Sequence, residues 1–152
     1  MTVREPGPDN IWETALRLLA RREHSCRELA GKLAGRGYDP ALVDALIADL
    51  VSENLLSDAR FTESYVHSRQ MRGCGPVRIR AELRKRGIDD GLISENLKAQ
   101  ETPWEVLIDQ VRTRRFGAPL PLDVRERARQ TRFLLQRGFT TEQIREVLKG
   151  DR

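Results

Sequence analysis

The residues best suited to bind a partner are arginines, and three of them have helical spacing. Arg125, Arg129 and Arg132 lie at positions i, i+4 and i+7, so on a helix they form one stripe. That stripe points away from the face on which Leu134 and Leu135 lie. The planar guanidinium group pairs well with phosphates and carboxylates. The spacing therefore predicts a surface that binds a phosphate backbone or an acidic protein groove.

A second basic segment lies earlier in the chain. From Arg69 to Arg86 there are seven basic residues and one acid, Glu82. On a helix, several of these point away from the apolar seam of Ile79 and Leu83. Together with the stripe, they give the candidate contacts to an anionic partner: Arg69, Arg72, Arg78, Arg84, Lys85, Arg125, Arg129 and Arg132.

Charge is sorted by segment, although the net charge is only +4. Residues 112–137 hold eight arginines and two acids, whereas residues 38–58 hold five acids and no base, and residues 89–109 hold six acids and one lysine. One interpretation is that basic helices pair with acidic helices of neighbouring units and the arginines form a solvated face. The other is that a recurring basic element binds a partner. The sequence leaves both interpretations open.

The sequence offers little for catalysis. It has no phosphate-binding glycine loop, dinucleotide-binding glycine motif, zinc-protease motif or nucleophile elbow. Cys26 and Cys74, with His24 and His67, do not have metal-ligand spacing, and we expect two reduced thiols. The sequence thus predicts a protein that is not an enzyme and that needs neither cofactor nor metal.

The elements that must position the arginines are set by a motif that occurs three times. In each copy an Arg-Gly pair is followed by an apolar residue, and the glycines are Gly37, Gly87 and Gly138, which lie 50 and 51 residues apart. A glycine that follows a helix commonly takes the left-handed conformation that ends it. We therefore predict that each glycine closes the second helix of a repeated unit.

Capping residues, prolines and apolar spacing predict nine helices and no strand. Their expected spans are 10–22, 25–35, 40–53, 58–72, 76–86, 90–100, 103–116, 123–137 and 141–149. Helix starts are expected at Asn10, Asp58 and Thr102 among others. The fold class is all-α, with three helices for each copy of the motif.

The helices predict three tandem, helix-turn-helix-like repeats at 10–54, 55–101 and 102–152, after a flexible N-terminus at 1–9. Units of about 50 residues have little core of their own, so we expect them to pack in an elongated, curved row. Segment 117–121 is the candidate elbow of the third repeat. In this repeat Gln130 stands where Leu29 and Ile79 would align, so the apolar pattern of its second helix is interrupted there.

No apolar stretch approaches the roughly 20 residues that cross a bilayer. Residues 1–10 are polar and show no export signal. We therefore expect a soluble, cytoplasmic protein without a membrane partner, and a monomer.

Several segments resemble, in order, those of the RecX family. They are Ala15–Leu29, Leu55–Phe61 followed by Tyr65-Val66, Gly75–Ile88, and Phe133–Phe139 with Ile144 and Leu148. The resemblance covers roughly residues 12–149. It implies tandem three-helix repeats and a regulator, mostly an inhibitor, of the RecA recombinase. Such proteins bind the groove of the RecA–single-stranded-DNA filament and modulate RecA ATPase activity, recombination, DNA repair and the SOS response.

Two alternatives stay open beside the filament regulator. Three-helix units also resemble stand-alone helix-turn-helix DNA-binding modules, although acidic third helices would repel phosphates. A helical adaptor without a nucleic-acid partner is the other. The partners implied by the resemblance are the RecA filament and single-stranded DNA, bound directly or through RecA.

Overall fold

The computed structural model describes residues 8–149, with side chains from residue 11 onward. This part of the chain is helical and contains no strand, as the all-α prediction requires. Its helices are α1 (Pro8–Arg21), α2 (Cys26–Gly35), α3 (Pro40–Ser52), α4 (Asp58–Met71), α5 (Pro76–Lys85), α6 (Asp90–Lys98), α7 (Trp104–Phe116), α8 (Val124–Gln136) and α9 (Thr141–Leu148). Residues 1–7, most of the predicted flexible N-terminus, lie outside the described residues.

Two predicted helix starts and one predicted cap are wrong. Helix α1 begins at Pro8, so Asn10 lies inside it, and α7 begins at Trp104 after Pro103 rather than at Thr102. Helix α4 does begin at Asp58, as predicted, but its cap is Ser57, whose side chain accepts a hydrogen bond from the Arg60 amide. These errors have one cause, since a polar residue with capping spacing is found one or two positions from the real boundary.

The three motif glycines end their helices as predicted. Gly37, Gly87 and Gly138 have φ of 89°, 79° and 99°, which is the left-handed region. In each copy the amide of the next residue donates to a carbonyl five positions back, for example Ile88 N to Leu83 O at 3.1 Å. The following apolar residue is buried in every copy, so the turn also adds an apolar side chain to the core.

Each set of three helices has its own core. The first contains Leu29, Leu33 and Leu50, the second Ile79, Leu83 and Ile93, and the third Ile108, Leu134 and Ile144, all at most 1% exposed. Trp104 packs against both the second and the third core, and it is therefore the apolar link between these two sets.

Two apolar residues do not pack as the helical pattern predicts. Helical spacing predicts that Leu16, with Leu19, and Leu135, with Leu134, face the core, yet Leu16 and Leu135 are 37% and 43% exposed. Gln130 does occupy the position of Leu29 and Ile79, because it is 3% exposed. Its Nε2 donates to Glu126, which keeps part of the amide satisfied in an apolar setting.

Neighbouring repeats meet through the same turn. The Arg86 carbonyl accepts a hydrogen bond from the Ser25 hydroxyl at 2.9 Å, and the Arg137 carbonyl accepts one from the Gly75 amide at 2.8 Å. Ser25 and Gly75 are the caps of α2 and α5. The turn that ends the second helix of one repeat therefore docks on the start of the second helix in the preceding repeat.

The helix sets follow one another along the chain instead of collapsing into one core. Their buried apolar residues form three separate clusters, one for each set of helices. In the third set, the buried Arg112 donates to the carbonyls of Gly117, Ala118 and Pro119, so it fixes the predicted elbow. With Asp109 as a fourth oxygen partner, Arg112 restrains a loop that lacks regular helical hydrogen bonds.

Candidate anion-binding surface

The α8 stripe is at the surface. Arg125, Arg129 and Arg132 are all exposed. Arg129 donates to Glu126 at 3.2 Å and lies over the Phe116 ring at 5.2 Å from its centroid. Within the described residues, no ion pair engages Arg125 or Arg132, so the stripe retains two uncompensated positive charges.

Two of the candidate arginines of the second repeat belong to an internal network around Glu82. Its carboxylate accepts from Arg69 Nε at 2.8 Å, from Arg78 Nε at 3.3 Å and from the Tyr65 hydroxyl at 2.6 Å. Burial raises the pKa of Glu82, but the hydrogen bonds from Tyr65 and Arg69 outweigh it and hold that pKa below its usual value. The positive charge of Arg69 is therefore largely compensated within the fold, whereas 45% of the Arg78 side chain is exposed to solvent.

Arg84 and Lys85 lie on the exposed side of α5. Arg84 Nε is 2.7 Å from Asp90 Oδ1, and Arg80 reaches the same carboxylate at 3.8 Å. The hydrogen bond from Arg84 lowers the pKa of Asp90. These basic residues of α5 thus pair with the start of α6 in their own repeat, and not with the neighbouring unit as one interpretation of the charge pattern required. Lys85 is exposed.

Arg72 lies in a cleft that the sequence did not predict. The cleft is formed where the end of α4 meets α7 and α8, and it brings Arg72 together with Arg114, Arg115 and Arg137. Arg137 Nη1 donates to the Arg72 carbonyl at 3.3 Å, which ties the two repeats together at this point. We call these four arginines and the residues between them the basic cleft. Its arginines stood in the basic runs, but only the packing of α4 on the third repeat groups them.

Aromatic rings connect the stripe to the basic cleft. Arg129 covers Phe116, whose ring meets that of Phe133 edge-on at 5.3 Å. Arg115 and Arg137 lie 5.7 and 5.5 Å from the Phe133 centroid. Cation–π contacts hold guanidinium groups in place while their polar edges remain available. One continuous basic surface therefore runs from α8 into the cleft between repeats.

The histidines and cysteines form no metal centre. Among the described residues no group of three His, Cys, Asp or Glu side chains is arranged to hold an ion. Burial, together with the Asp58 carboxylate, raises the pKa of the Cys26 thiol to about 11, so it stays protonated and unreactive at neutral pH. No helix in the described range has the length and apolar character of a membrane span.

Family models match the chain three times. They are the first, second and third three-helix domains of RecX, matched at residues 12–50, 57–97 and 104–148. Each match lies within one set of helices, counting Ser57, the cap of α4, and together the matches span most of the described chain.

Two proteins that are similar to this chain are both named regulatory protein RecX. The chain is 54% identical over 135 residues to the regulatory protein RecX of Halorhodospira halophila, covering 89% of this chain and 84% of that protein. It is 44% identical to the regulatory protein RecX of Pseudomonas entomophila, covering 94% of this chain and 92% of that protein.

A solved structure shares the fold. The crystal structure of RecX from Lactobacillus salivarius superposes with a TM-score of 0.79 at 21% identity, covering 93% of this chain and 94% of that one. At that identity the likeness shows the fold alone. The domain matches and the identity to the Halorhodospira and Pseudomonas proteins show the family: the chain belongs to the RecX family, a family of regulatory proteins and not of enzymes.

Proposed function

We propose that this protein regulates the RecA recombinase, mostly as an inhibitor, by binding along the groove of the RecA–single-stranded-DNA filament. Membership of a regulatory family supports the general role. The observation that carries the contact with the filament is the α8 stripe, where Arg125 and Arg132 are exposed without an ion-pair partner among the described residues. Such charges attract phosphates and carboxylates.

The row of repeats suits a long, regular partner. When one repeat binds, the others are held near the next RecA protomers at a high effective concentration, so weak contacts add up. A protein bound across protomers restrains their relative motion. It would thereby slow ATP hydrolysis and strand exchange, and so limit recombination and recombinational repair.

The test measures RecA ATPase activity on single-stranded DNA at substoichiometric amounts of this protein. We expect the wild-type protein to lower the rate, and the variant Arg125→Ala/Arg129→Ala/Arg132→Ala to need at least about tenfold more protein for the same effect, since each lost phosphate or carboxylate contact weakens binding.

The matched control removes the same charge from the first repeat. Arg17, Arg21 and Arg36 are exposed, and the variant with alanine at all three has the same net charge as the stripe variant. It should inhibit nearly as well as the wild type. Equal loss of inhibition in both variants, or no effect of the wild-type protein on rate or filament length, would contradict the proposal.

A stand-alone DNA-binding protein is the alternative. The structure keeps acidic residues such as Asp44, Asp49 and Asp90 exposed on α3 and α6, which correspond to the recognition position of a helix-turn-helix. We therefore expect weak, strongly salt-dependent binding to bare DNA. Nanomolar, sequence-selective binding without RecA would favour the alternative. We further propose that the protein acts as a cytoplasmic monomer.

A further inference from the structure

The charged residues of the basic cleft, at the junction of the second and third repeats, are all positive. Arg72, Arg114, Arg115 and Arg137 line it, and within residues 11–149 no acid does. Its volume is about 260 Å³. Pockets that hold drug-sized molecules measure roughly 300–1,000 Å³, so this one suits one or two side chains better than a cofactor.

The floor of the cleft is apolar. Leu107, Val111 and Phe133 form it, and Met71 stands at its rim with 73% of its surface exposed. Arg115 and Arg137 already lie over the Phe133 ring and Phe116 meets it edge-on, so contacts within the fold engage this ring. An exposed methionine, by contrast, is typical of surfaces that adapt to apolar side chains of a protein partner.

A buried donor also lines this site. Gln70 is 8% exposed, and its Nε2 has no hydrogen-bond partner within the described part of the chain. An unsatisfied buried amide is costly, and a native fold normally supplies it with an acceptor. Gln70 lines both this cleft and a second pocket beside His67 and Asn96, so an acceptor for its Nε2 can enter from either side.

We propose that the basic cleft binds an acidic segment of a partner protein, anchored by one apolar side chain. The segment's carboxylates pair with the arginines of the walls, and its apolar side chain lies on the floor beside Val111. A guanidinium group binds a carboxylate through two parallel hydrogen bonds, so the site selects the orientation of the segment as well as its charge. This site for a protein ligand goes beyond the proposed function, because it stands whether or not the α8 stripe contacts the filament.

The test uses the full chain without RecA or DNA. The probe is a fluorescein-labelled ten-residue peptide of eight glutamates around a central Leu-Phe pair, and binding is followed by fluorescence anisotropy at 150 mM salt. Comparison probes are the same peptide with a central Ser-Ser pair and a ten-nucleotide oligo-thymidine. The variants are Arg114→Ala/Arg115→Ala and, separately, Met71→Glu, while Arg17→Ala/Arg21→Ala is the charge-matched control. All these side chains are exposed, so folding is preserved, which thermal unfolding by circular dichroism checks.

We expect the Leu-Phe peptide to bind in the micromolar range and at least fivefold more tightly than the Ser-Ser peptide. Both cleft variants should weaken it at least tenfold, and the control less than twofold. The proposal is overturned by no binding below 1 mM, by equal affinity for the two peptides, by equal weakening in the cleft and control variants, or by oligo-thymidine binding the cleft more tightly than the peptide. None of these results bears on RecA inhibition by the stripe, so the two proposals fail separately.

Discussion

At the scale of single residues, the buried polar side chain of His24 shows how the fold controls protonation. His24 is 1% exposed and lies next to the cap of α2, where its Nδ1 contacts the Arg22 carbonyl and its Nε2 lies 2.8 Å from Lys32 Nζ. Burial lowers the pKa of His24 from its usual 6.5, and the charges of Arg22 and Lys32 lower it further. The fold therefore holds this imidazole neutral.

This arrangement predicts how stability depends on pH. Because the folded pKa of His24 is depressed, the unfolded chain binds its proton first, so stability is complete above about pH 6.5 and falls as the pH drops towards the folded pKa. The slope should be at most about 1.4 kcal/mol per pH unit. Urea unfolding at pH 7.5 and 5.8 measures it.

The matched variants are His24→Gln and His67→Gln, since His67 is exposed. The difference in unfolding free energy between the two pH values should shrink in the first and persist in the second. A His24→Gln protein with the wild-type pH dependence would show that the effect comes from another group.

At the scale of elements, the helix-ending turn has two roles, and the three copies separate them. Around Gly37 nothing lies within 4 Å of an added Cβ, whereas around Gly138 an added Cβ would lie 2.8 Å from the Arg78 backbone nitrogen. Both glycines have positive φ. Gly37 thus only ends a helix, while Gly138 both ends a helix and docks on the neighbouring repeat.

Alanine substitutions should therefore differ in cost. Gly37→Ala should destabilise the protein by about 1–2 kcal/mol, which is the cost of a left-handed non-glycine residue. Gly138→Ala should cost at least about 1 kcal/mol more, because the neighbouring backbone must move. Urea unfolding of both variants gives the difference, and equal costs would mean that the interface yields without strain.

At the scale of the whole molecule, the stack of repeats has unlike ends. Helix α8 has 13 residues, against 10 in α2 and in α5. Counting back from each motif glycine, Ser25 and Gly75 correspond to Glu126, which lies inside α8. The surface on which a further repeat would dock is thus filled by an extra turn of helix. This supports the proposal that the protein is a monomer.

An elongated row also predicts the size in solution. A compact chain of this length has a radius of gyration of about 15 Å. We expect small-angle X-ray scattering to give a clearly larger value at low concentration and an unchanged value as concentration rises. A radius near 15 Å would mean that the repeats fold back on one another, and a rise with concentration would mean self-association.

The sequence by itself determined the helices, the left-handed glycines and the α8 stripe, because capping, chirality and helical spacing act over four or five residues. Leu29 and Ile79 were placed in cores by that spacing alone, and the family resemblance followed from the same segments. Tertiary structure decided the neutralisation of Arg69 by Glu82 and the gathering of Arg72 with Arg137 into a cleft. These depend on contacts between residues 13 and 65 positions apart, and only the docking of one helix on another brings such residues within hydrogen-bonding distance.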